Sequence, residues 1–124
     1  MEPLIIEPYL QTPEVNFNPN SGNFSIIGKA YPADAIEFFE PIIDYCNNYI
    51  KDAAPSTILS CEIEYLNSAS QKQVIELIQS LKPLIEQGKE FIVHWLYEEG
   101  DDDLLSVGEL IEHELEVPFV YKEV

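Results

Sequence analysis

One change of hydrophobic period sets the architecture of this chain: residues 55–88 read PSTILSCEIEYLNSASQKQVIELIQSLKPLIEQG. In the first part, apolar residues alternate with polar ones, which is the pattern of a half-buried strand. The residues predicted to point inward are Leu59, Cys61, Ile63 and Tyr65. After Asn67-Ser68-Ala69-Ser70 the apolar spacing becomes helical, and Gln87-Gly88 ends the helix. The stretch therefore predicts a strand that leads directly into one amphipathic helix.

Further strands and helices are predicted on both sides of this unit. Upstream, Pro3–Glu7 is a short strand, and the turn-forming residues 18–23 join Val15–Asn18 to Phe24–Ile27 as a hairpin. Downstream, Phe91–Tyr97 is an almost continuous apolar strand, as expected for a strand covered on both faces. A third helix with apolar positions from Leu104 to Leu115 and a terminal strand over 118–124 complete the chain.

The predicted element order, β-β-β-α-β-α-β-α-β, indicates an α/β fold. Alternating strands and helices in the second half require right-handed crossovers and a mostly parallel sheet. The N-terminal hairpin adds antiparallel strands to it. We therefore expect a mixed sheet with N-terminal antiparallel strands, βαβαβ-type crossovers and three main helices, in one domain that covers residues 1–124.

The first helix begins with a capping-box pattern, Asp34 followed by Glu37. Its apolar residues cover half of the circumference, a wider arc than the ~100° of an ordinary surface helix. These residues are Ile36, Phe38, Phe39, Ile42, Ile43, Tyr45, Cys46, Tyr49 and Ile50. Two interpretations follow: deep burial against the sheet, or a partly exposed stripe that docks a partner.

The charge of the chain excludes several functional classes. Six Lys+Arg against 23 Asp+Glu give a formal net charge of −17, and every basic residue is a lysine. Nucleic acids and anionic membranes bind clustered positive charge, so neither is a partner for this composition. Without arginine, the chain has no arginine finger and no bidentate clamp for a phosphate substrate.

Cysteine usage and the N-terminal sequence indicate the cytoplasm. Cys46 and Cys61 form no CxxC pair and lie in apolar runs, so we expect buried free thiols. The first residues, MEPLIIEPYLQ, lack the basic start and the apolar core of a signal peptide. No stretch approaches the ~18 apolar residues of a membrane span. We therefore expect a cytoplasmic protein.

Enzyme motifs are absent from the sequence. It contains no GxSxG, P-loop or GxGxxG motif, and His94 and His113 share no metal-ligand spacing. The acidic run over residues 98–103 lacks the ligand spacing of a calcium loop and suits the start of a helix. A small metal-dependent enzyme that combines Asp101–Asp103 with a histidine is an alternative. We predict a non-enzymatic protein with no metal and no cofactor.

The strand-to-helix junction is the strongest candidate site. Ser68 with Gln71 and Ser70 with Gln73 form two overlapping S-x-x-Q boxes, so either serine is a possible N-cap. A serine hydroxyl beside free helix N–H groups, with Lys72 one turn away, also suits a phosphoryl acceptor. No general base lies nearby in the sequence to make the serine a nucleophile. The junction therefore predicts a switch and not a catalytic centre.

Four stretches resemble the SiaC family of bacterial regulatory phosphoproteins, and the resemblance covers nearly the whole chain. They are Tyr31–Phe39 (YPADAIEFF), Glu64–Ser70 (EYLNSAS), Trp95–Glu99 (WLYEE) with Asp101–Asp103, and Val117–Phe119 (VPF). The strand–serine–helix arrangement is also similar to that of anti-sigma-factor antagonists with the STAS fold. The resemblance implies a STAS-like partner-switching module.

The resemblance also implies partners. In that family a cognate GHKL-type Ser/Thr kinase phosphorylates the hydroxyl residue after a Tyr-Leu-Asn turn, and a PPM-type phosphatase reverses this. The unphosphorylated form binds and activates a GGDEF diguanylate cyclase, which links the switch to cyclic-di-GMP and biofilm regulation. The matching acceptor is Ser68, with Ser70 as its rival. The implied partner-binding residues are Tyr65, Leu66, Asn67, Ser68, Ala69, Ser70, Gln71 and Lys72. A constitutive interaction module that binds regardless of modification is the remaining alternative.

Overall fold

The computed structural model describes residues 1–124 as six strands and four α-helices; the strands and the three long helices follow the predicted order, and one short helix is additional. The strands are β1 (Leu4–Ile6), β2 (Glu14–Asn18), β3 (Asn23–Ala30), β4 (Ser56–Leu66), β5 (Glu90–Tyr97) and β6 (Phe119–Glu123). The helices are α1 (Ala35–Tyr49), α2 (Ser68–Leu81), the single turn α3 (Pro83–Glu86) and α4 (Asp102–Leu115). None of these helices combines the length and the hydropathy needed to cross a membrane.

The six strands form one sheet in the order β1-β2-β3-β4-β5-β6. The first three strands pair antiparallel, and β3 to β6 pair parallel. The predicted hairpin is confirmed, since Val15 pairs with Ile26 and Asn18 with Asn23. The parallel strands all end at one edge, here called the carboxyl edge.

The three long helices lie on one face of the sheet. Each right-handed crossover moves one strand further in the same direction, which places successive helices side by side. The Tyr49 hydroxyl of α1 hydrogen-bonds the Thr57 hydroxyl of β4 at 2.7 Å, and Trp95 of β5 donates through Nε1 to the Leu104 carbonyl of α4 at 2.9 Å. Between helices and sheet lies a single core of 25 buried residues.

The other face of the sheet is open, so the prediction that β5 is covered on both faces is wrong. Phe91, Val93 and Trp95 are buried, whereas Ile92, His94 and Leu96 are only half-buried. The outward positions are apolar because cross-strand neighbours shield them in part; Ile92, for example, pairs with Ile58 of β4. An unbroken apolar run therefore does not require a second covering layer.

Helix α1 shows features of both interpretations of its wide apolar arc. It begins as predicted, with Asp34 Oδ1 accepting a hydrogen bond from the Glu37 N–H at 3.0 Å. The inner positions, including Phe39 and Ile42, are fully buried. Ile36 in the first turn, however, is 63% exposed. The exposed end of the arc lies where β3 leads into α1, at the carboxyl edge.

The helix predicted to run from the serine junction to Gln87-Gly88 is divided in two, which corrects the expectation. Helix α2 ends at Leu81 and α3 begins at Pro83. Proline has no N–H to donate and its ring obstructs the preceding turn, so it interrupts a helix but suits the first position of a new one. Lys82, which separates the two helices, lies after the site-bearing half has ended.

Candidate partner-docking site

A β-bulge positions the end of β4. Gly28 of β3 pairs with Ile63, and the next residue, Lys29, pairs with Tyr65, so Glu64 has no partner. Gly28 has a φ of 126°, a conformation that only glycine adopts readily. A bulge reverses the alternation of the strand. Tyr65, predicted to point inward with Ile63, is consequently 55% exposed, and this corrects the expected pattern.

The exposed Tyr65 packs against a second tyrosine. Its ring meets that of Tyr31 edge to face, with the ring centroids 5.4 Å apart. Tyr31 directly follows β3, and its N–H donates to the Gln11 carbonyl at 2.9 Å. The β1–β2 loop is therefore held at the carboxyl edge, next to the strand-to-helix junction.

Asn67 caps α2, so the expectation that a serine is the N-cap is wrong. Its Oδ1 accepts a hydrogen bond from the Ser70 N–H at 2.9 Å, and its own N–H donates to the Ala30 carbonyl at 3.2 Å. Asparagine and serine are about equally good caps. The extended conformation of Asn67, which continues the pairing with β3, puts the asparagine at this position.

This cap gives the two candidate serines opposite environments. Ser68 is the first residue of α2 and is exposed to solvent. Ser70 is completely buried, and its Oγ has no hydrogen-bond partner. Only Ser68 therefore presents a hydroxyl that another protein can reach in this conformation. The N-terminal end of the α2 dipole lies beside it and favours negative charge there.

The other predicted partner-binding residues surround Ser68 with graded exposure. Ala69 and Lys72 are exposed, whereas Leu66, Asn67 and Gln71 are half-buried. Together with Tyr65 they form a continuous surface from the end of β4 to the second turn of α2. Of the predicted set, Ser70 alone lies beneath this surface.

The acidic loop over residues 98–103 borders the site on the side of β5. A cavity of about 310 Å³ lies between the end of β4 and α4, and its lining includes Glu64, Tyr65, Asp101 and Asp103. A neighbouring cavity of about 380 Å³ shares Glu64 and Asp101. Asp101 Oδ1 accepts a hydrogen bond from the Leu104 N–H at 3.0 Å, so this aspartate caps α4 as predicted for the acidic run. The cavities beside the serine loop are strongly acidic.

The histidines and cysteines take no part in this site. His94 lies on the open face of the sheet, where burial and the Lys122 ammonium lower its pKa, and His113 is exposed on α4. Neither histidine joins the aspartates in a cluster that could hold a metal ion. Cys46 and Cys61 are buried free thiols, as predicted, and burial raises the pKa of each to about 12. A thiol with so high a pKa is a poor nucleophile.

Comparison with known proteins identifies the family. The family model of the SiaC family regulatory phosphoproteins matches residues 6–124. The chain belongs to the SiaC family. A relative described as an uncharacterized protein of Pseudomonas aeruginosa is 24% identical over 119 residues, which are 96% of this chain and 94% of the relative.

Solved structures of SiaC from Pseudomonas aeruginosa share the fold. One superimposes with a TM-score of 0.89 at 23% identity and covers 100% of both chains. The apo form gives a TM-score of 0.86 at 21% identity and covers 98% of this chain and 99% of its own. A third structure contains SiaC as the activator of the diguanylate cyclase SiaD, in complex with it; its TM-score is 0.89 at 22% identity, with coverage of 98% and 99%. The predicted mixed α/β fold class is confirmed.

Sequence reasoning missed three exposed apolar residues at the carboxyl edge, Tyr9, Leu10 and Ile36, and the half-buried Tyr31 beside Tyr65. Tyr31 and Ile36 lie within one of the SiaC-like stretches, but Ile36 was predicted only as part of the α1 arc. Tyr9 and Leu10 lie in the β1–β2 loop and are 79% and 76% exposed. The sequence did contain a signal for Tyr9 and Leu10: large apolar residues in a loop between two prolines are not needed for a core and indicate an interaction surface.

Proposed function

We propose that this chain is a non-enzymatic regulatory protein whose binding to a GGDEF diguanylate cyclase is switched at Ser68. The unphosphorylated form binds and activates the cyclase, a cognate GHKL-type kinase phosphorylates Ser68, and a PPM-type phosphatase removes the phosphate. The observation that carries the proposal is the exposed Ser68 hydroxyl at the start of α2, above a buried Ser70. Membership of the SiaC family and the solved complex of SiaC with SiaD support it.

Local electrostatics favour release on phosphorylation. A phosphoserine adds about −1.5 to −2 charges at pH 7. If the partner covers Ser68, this dianion loses its water, and an unpaired buried charge costs several kcal/mol. The α2 dipole returns at most ~2 kcal/mol, and an exposed lysine such as Lys72 contributes at most ~1 kcal/mol. A net weakening of ~3 kcal/mol corresponds to a more than hundredfold loss of affinity.

Titration calorimetry with the cognate cyclase tests the switch. Ser68→Ala should fold normally, resist phosphorylation and bind the cyclase with wild-type affinity. Kinase-treated wild-type protein and Ser68→Asp should bind at least tenfold more weakly, with the aspartate the milder of the two because it carries a smaller charge.

Ser21→Asp is the matched control. Ser21 is exposed in the β2–β3 turn, at the opposite edge of the sheet from Ser68. Its Oγ accepts from the Asn23 N–H, a bond that an aspartate also makes. This variant adds the same charge and should keep wild-type affinity. Equal affinities for all forms would instead identify a constitutive interaction module.

A further inference from the structure

A buried glutamine faces a groove between α1 and α2 without a partner in the chain. Gln73, in the second turn of α2, is only 8% exposed, and its amide takes part in none of the side-chain hydrogen bonds of the molecule. Unlike the Ser70 hydroxyl, the amide is not fully enclosed, because Gln73 lines the open groove. Buried polar groups normally pair within the protein. The free amide therefore indicates a place where a ligand completes the pairing.

The rest of the groove is acidic and apolar. It has a volume of about 200 Å³, and its other lining residues are Glu40, Asp44, Glu76, Ile36 and Ile43. The three carboxylates are exposed, and no lysine lines the groove. Glu40 and Asp44 are four residues apart on α1, a spacing at which like charges repel each other and destabilise the helix. A cation in the groove would relieve this repulsion.

The carboxylates are too dispersed to hold a single metal ion, since no three of them form such a cluster. The helical rise of ~1.5 Å per residue places Glu40 and Asp44 ~6 Å apart along α1. Both helices begin at the carboxyl edge and run in the same direction. Glu76, the ninth residue of α2, is therefore level with Ile43, the ninth of α1. The negative charges are thus spread along the groove, with isoleucine side chains between them.

This arrangement specifies the chemistry of the ligand. Separated carboxylates match a cation whose charges are also separated, and the isoleucines match an apolar spacer between those charges. The amide oxygen of Gln73 accepts a hydrogen bond from an N–H donor, as the carboxylates do. The groove is smaller than the ~300–1,000 Å³ of pockets for drug-sized ligands, so the ligand must be narrow.

We propose that the groove between α1 and α2 binds a linear aliphatic polyamine, in which ammonium groups are separated by methylene chains. The ammonium groups pair with the groove carboxylates, the methylenes lie against the two isoleucines, and an amine N–H donates to the Gln73 amide oxygen. The inference is independent of the proposed function, because none of the residues predicted to bind the cyclase lines this groove.

Calorimetric titration of spermidine into the chain at low ionic strength tests the proposal, and one saturable site is expected. Gln73→Leu removes the amide, keeps a side chain of similar size and should weaken binding about fivefold or more. Gln79→Leu is the matched control, because Gln79 is exposed on the same helix and lies outside the groove. It should change the affinity less than twofold. Neither substitution alters the net charge, so general attraction of polycations to a chain of charge −17 cannot produce the difference.

A second pair of variants tests the carboxylates. Glu40→Gln/Glu76→Gln should weaken spermidine binding about tenfold, since two ion pairs are lost. Glu109→Gln/Glu114→Gln removes the same charge from exposed positions of α4 and should change the affinity less than twofold. All four carboxylates are exposed, so these variants keep the test valid if Gln73→Leu does not fold. Thermal unfolding checks the fold of each variant.

Three outcomes would overturn the proposal. The first is the absence of a saturable site, or equal weakening by the groove variants and their controls, because either result would leave only general attraction. The second is binding of Mg²⁺ as tight as that of putrescine at equal ionic strength, since the two carry the same charge and differ in its separation. The third is a loss of cyclase affinity in the groove variants, which would assign the groove to a lysine of the partner. Retained cyclase affinity with weakened spermidine binding supports the polyamine site, and failure of that site leaves the Ser68 switch unaffected.

Discussion

The two serines at the start of α2 lie in opposite environments although a single residue, Ala69, separates them. Ser68 and Ser70 have the same chemistry, but Asn67 occupies the cap and turns one hydroxyl outward and the other into the core. A buried hydroxyl without a partner has lost its hydrogen bonds to water and gained none in return. Ser70 is therefore a cost to stability, whereas Ser68 is neutral to it.

Replacing Ser70 should stabilise the protein. Ser70→Ala removes the unpartnered hydroxyl and should raise the free energy of unfolding by about 1 kcal/mol. Ser68→Ala is the control, because it brings the same gain in helix propensity in the same turn without relieving a buried group. Urea titrations of both variants measure the difference. A Ser70→Ala variant less stable than Ser68→Ala would show that the hydroxyl has a partner in solution.

Only part of this site follows from the sequence. The strand, the helix and a serine at their junction are local patterns, and all three are confirmed. The residue that caps α2 could not be predicted from the local sequence, because asparagine and serine have nearly equal N-cap preferences. Asn67 becomes the cap because its N–H pairs with the Ala30 carbonyl of the neighbouring strand β3. The exposure of Tyr65 likewise depends on Gly28, a residue far away in the chain.

Among the elements, the β3–β4 pair has the most direct influence on the site. Its bulge leaves Glu64 unpaired and turns Tyr65 toward Tyr31. The backbone of Gly28 makes this possible through its positive φ. The alternation of β4 could be predicted up to Ile63 and not beyond, because period-2 patterning does not reveal an inserted residue such as Glu64.

Substitution at the bulge should affect both stability and binding. Gly28→Ala forces a side chain into a φ of 126° and should cost about 1–3 kcal/mol. By shifting Tyr65 it should also weaken cyclase binding. Gly88→Ala is the control, since Gly88 has a φ of 81° with open space around it, far from the carboxyl edge. It should lose stability and keep its affinity. Thermal unfolding and calorimetry of the two variants provide the comparison. Equal affinities of the two variants for the cyclase would show that the bulge does not influence binding.

For the whole molecule, charge is the dominant property. A formal −17 spread over 124 residues repels itself, and this self-repulsion opposes the compact state. Against that background a phosphate changes the total charge only slightly, so its effect on a partner must be local. The same total makes the chain a poor ligand for any acidic surface.

Salt should therefore stabilise the folded protein. Raising NaCl from a few millimolar to about 0.5 M shortens the Debye length from tens of ångströms to less than 10 Å and screens the repulsion between carboxylates. The melting temperature should rise by several degrees, and KCl should act equally. A melting temperature that falls with salt would mean that attractive pairs outweigh the repulsion.

The strictly sequential order of the strands has a consequence for biosynthesis. Each strand pairs with the one made just before it, so the sheet can grow in the direction in which the ribosome delivers the chain. No early strand has to wait for a late one to be inserted beside it. The segment that becomes the serine junction has its neighbour β3 already in place when it emerges, and β5, α4 and β6 then complete the carboxyl edge in chain order.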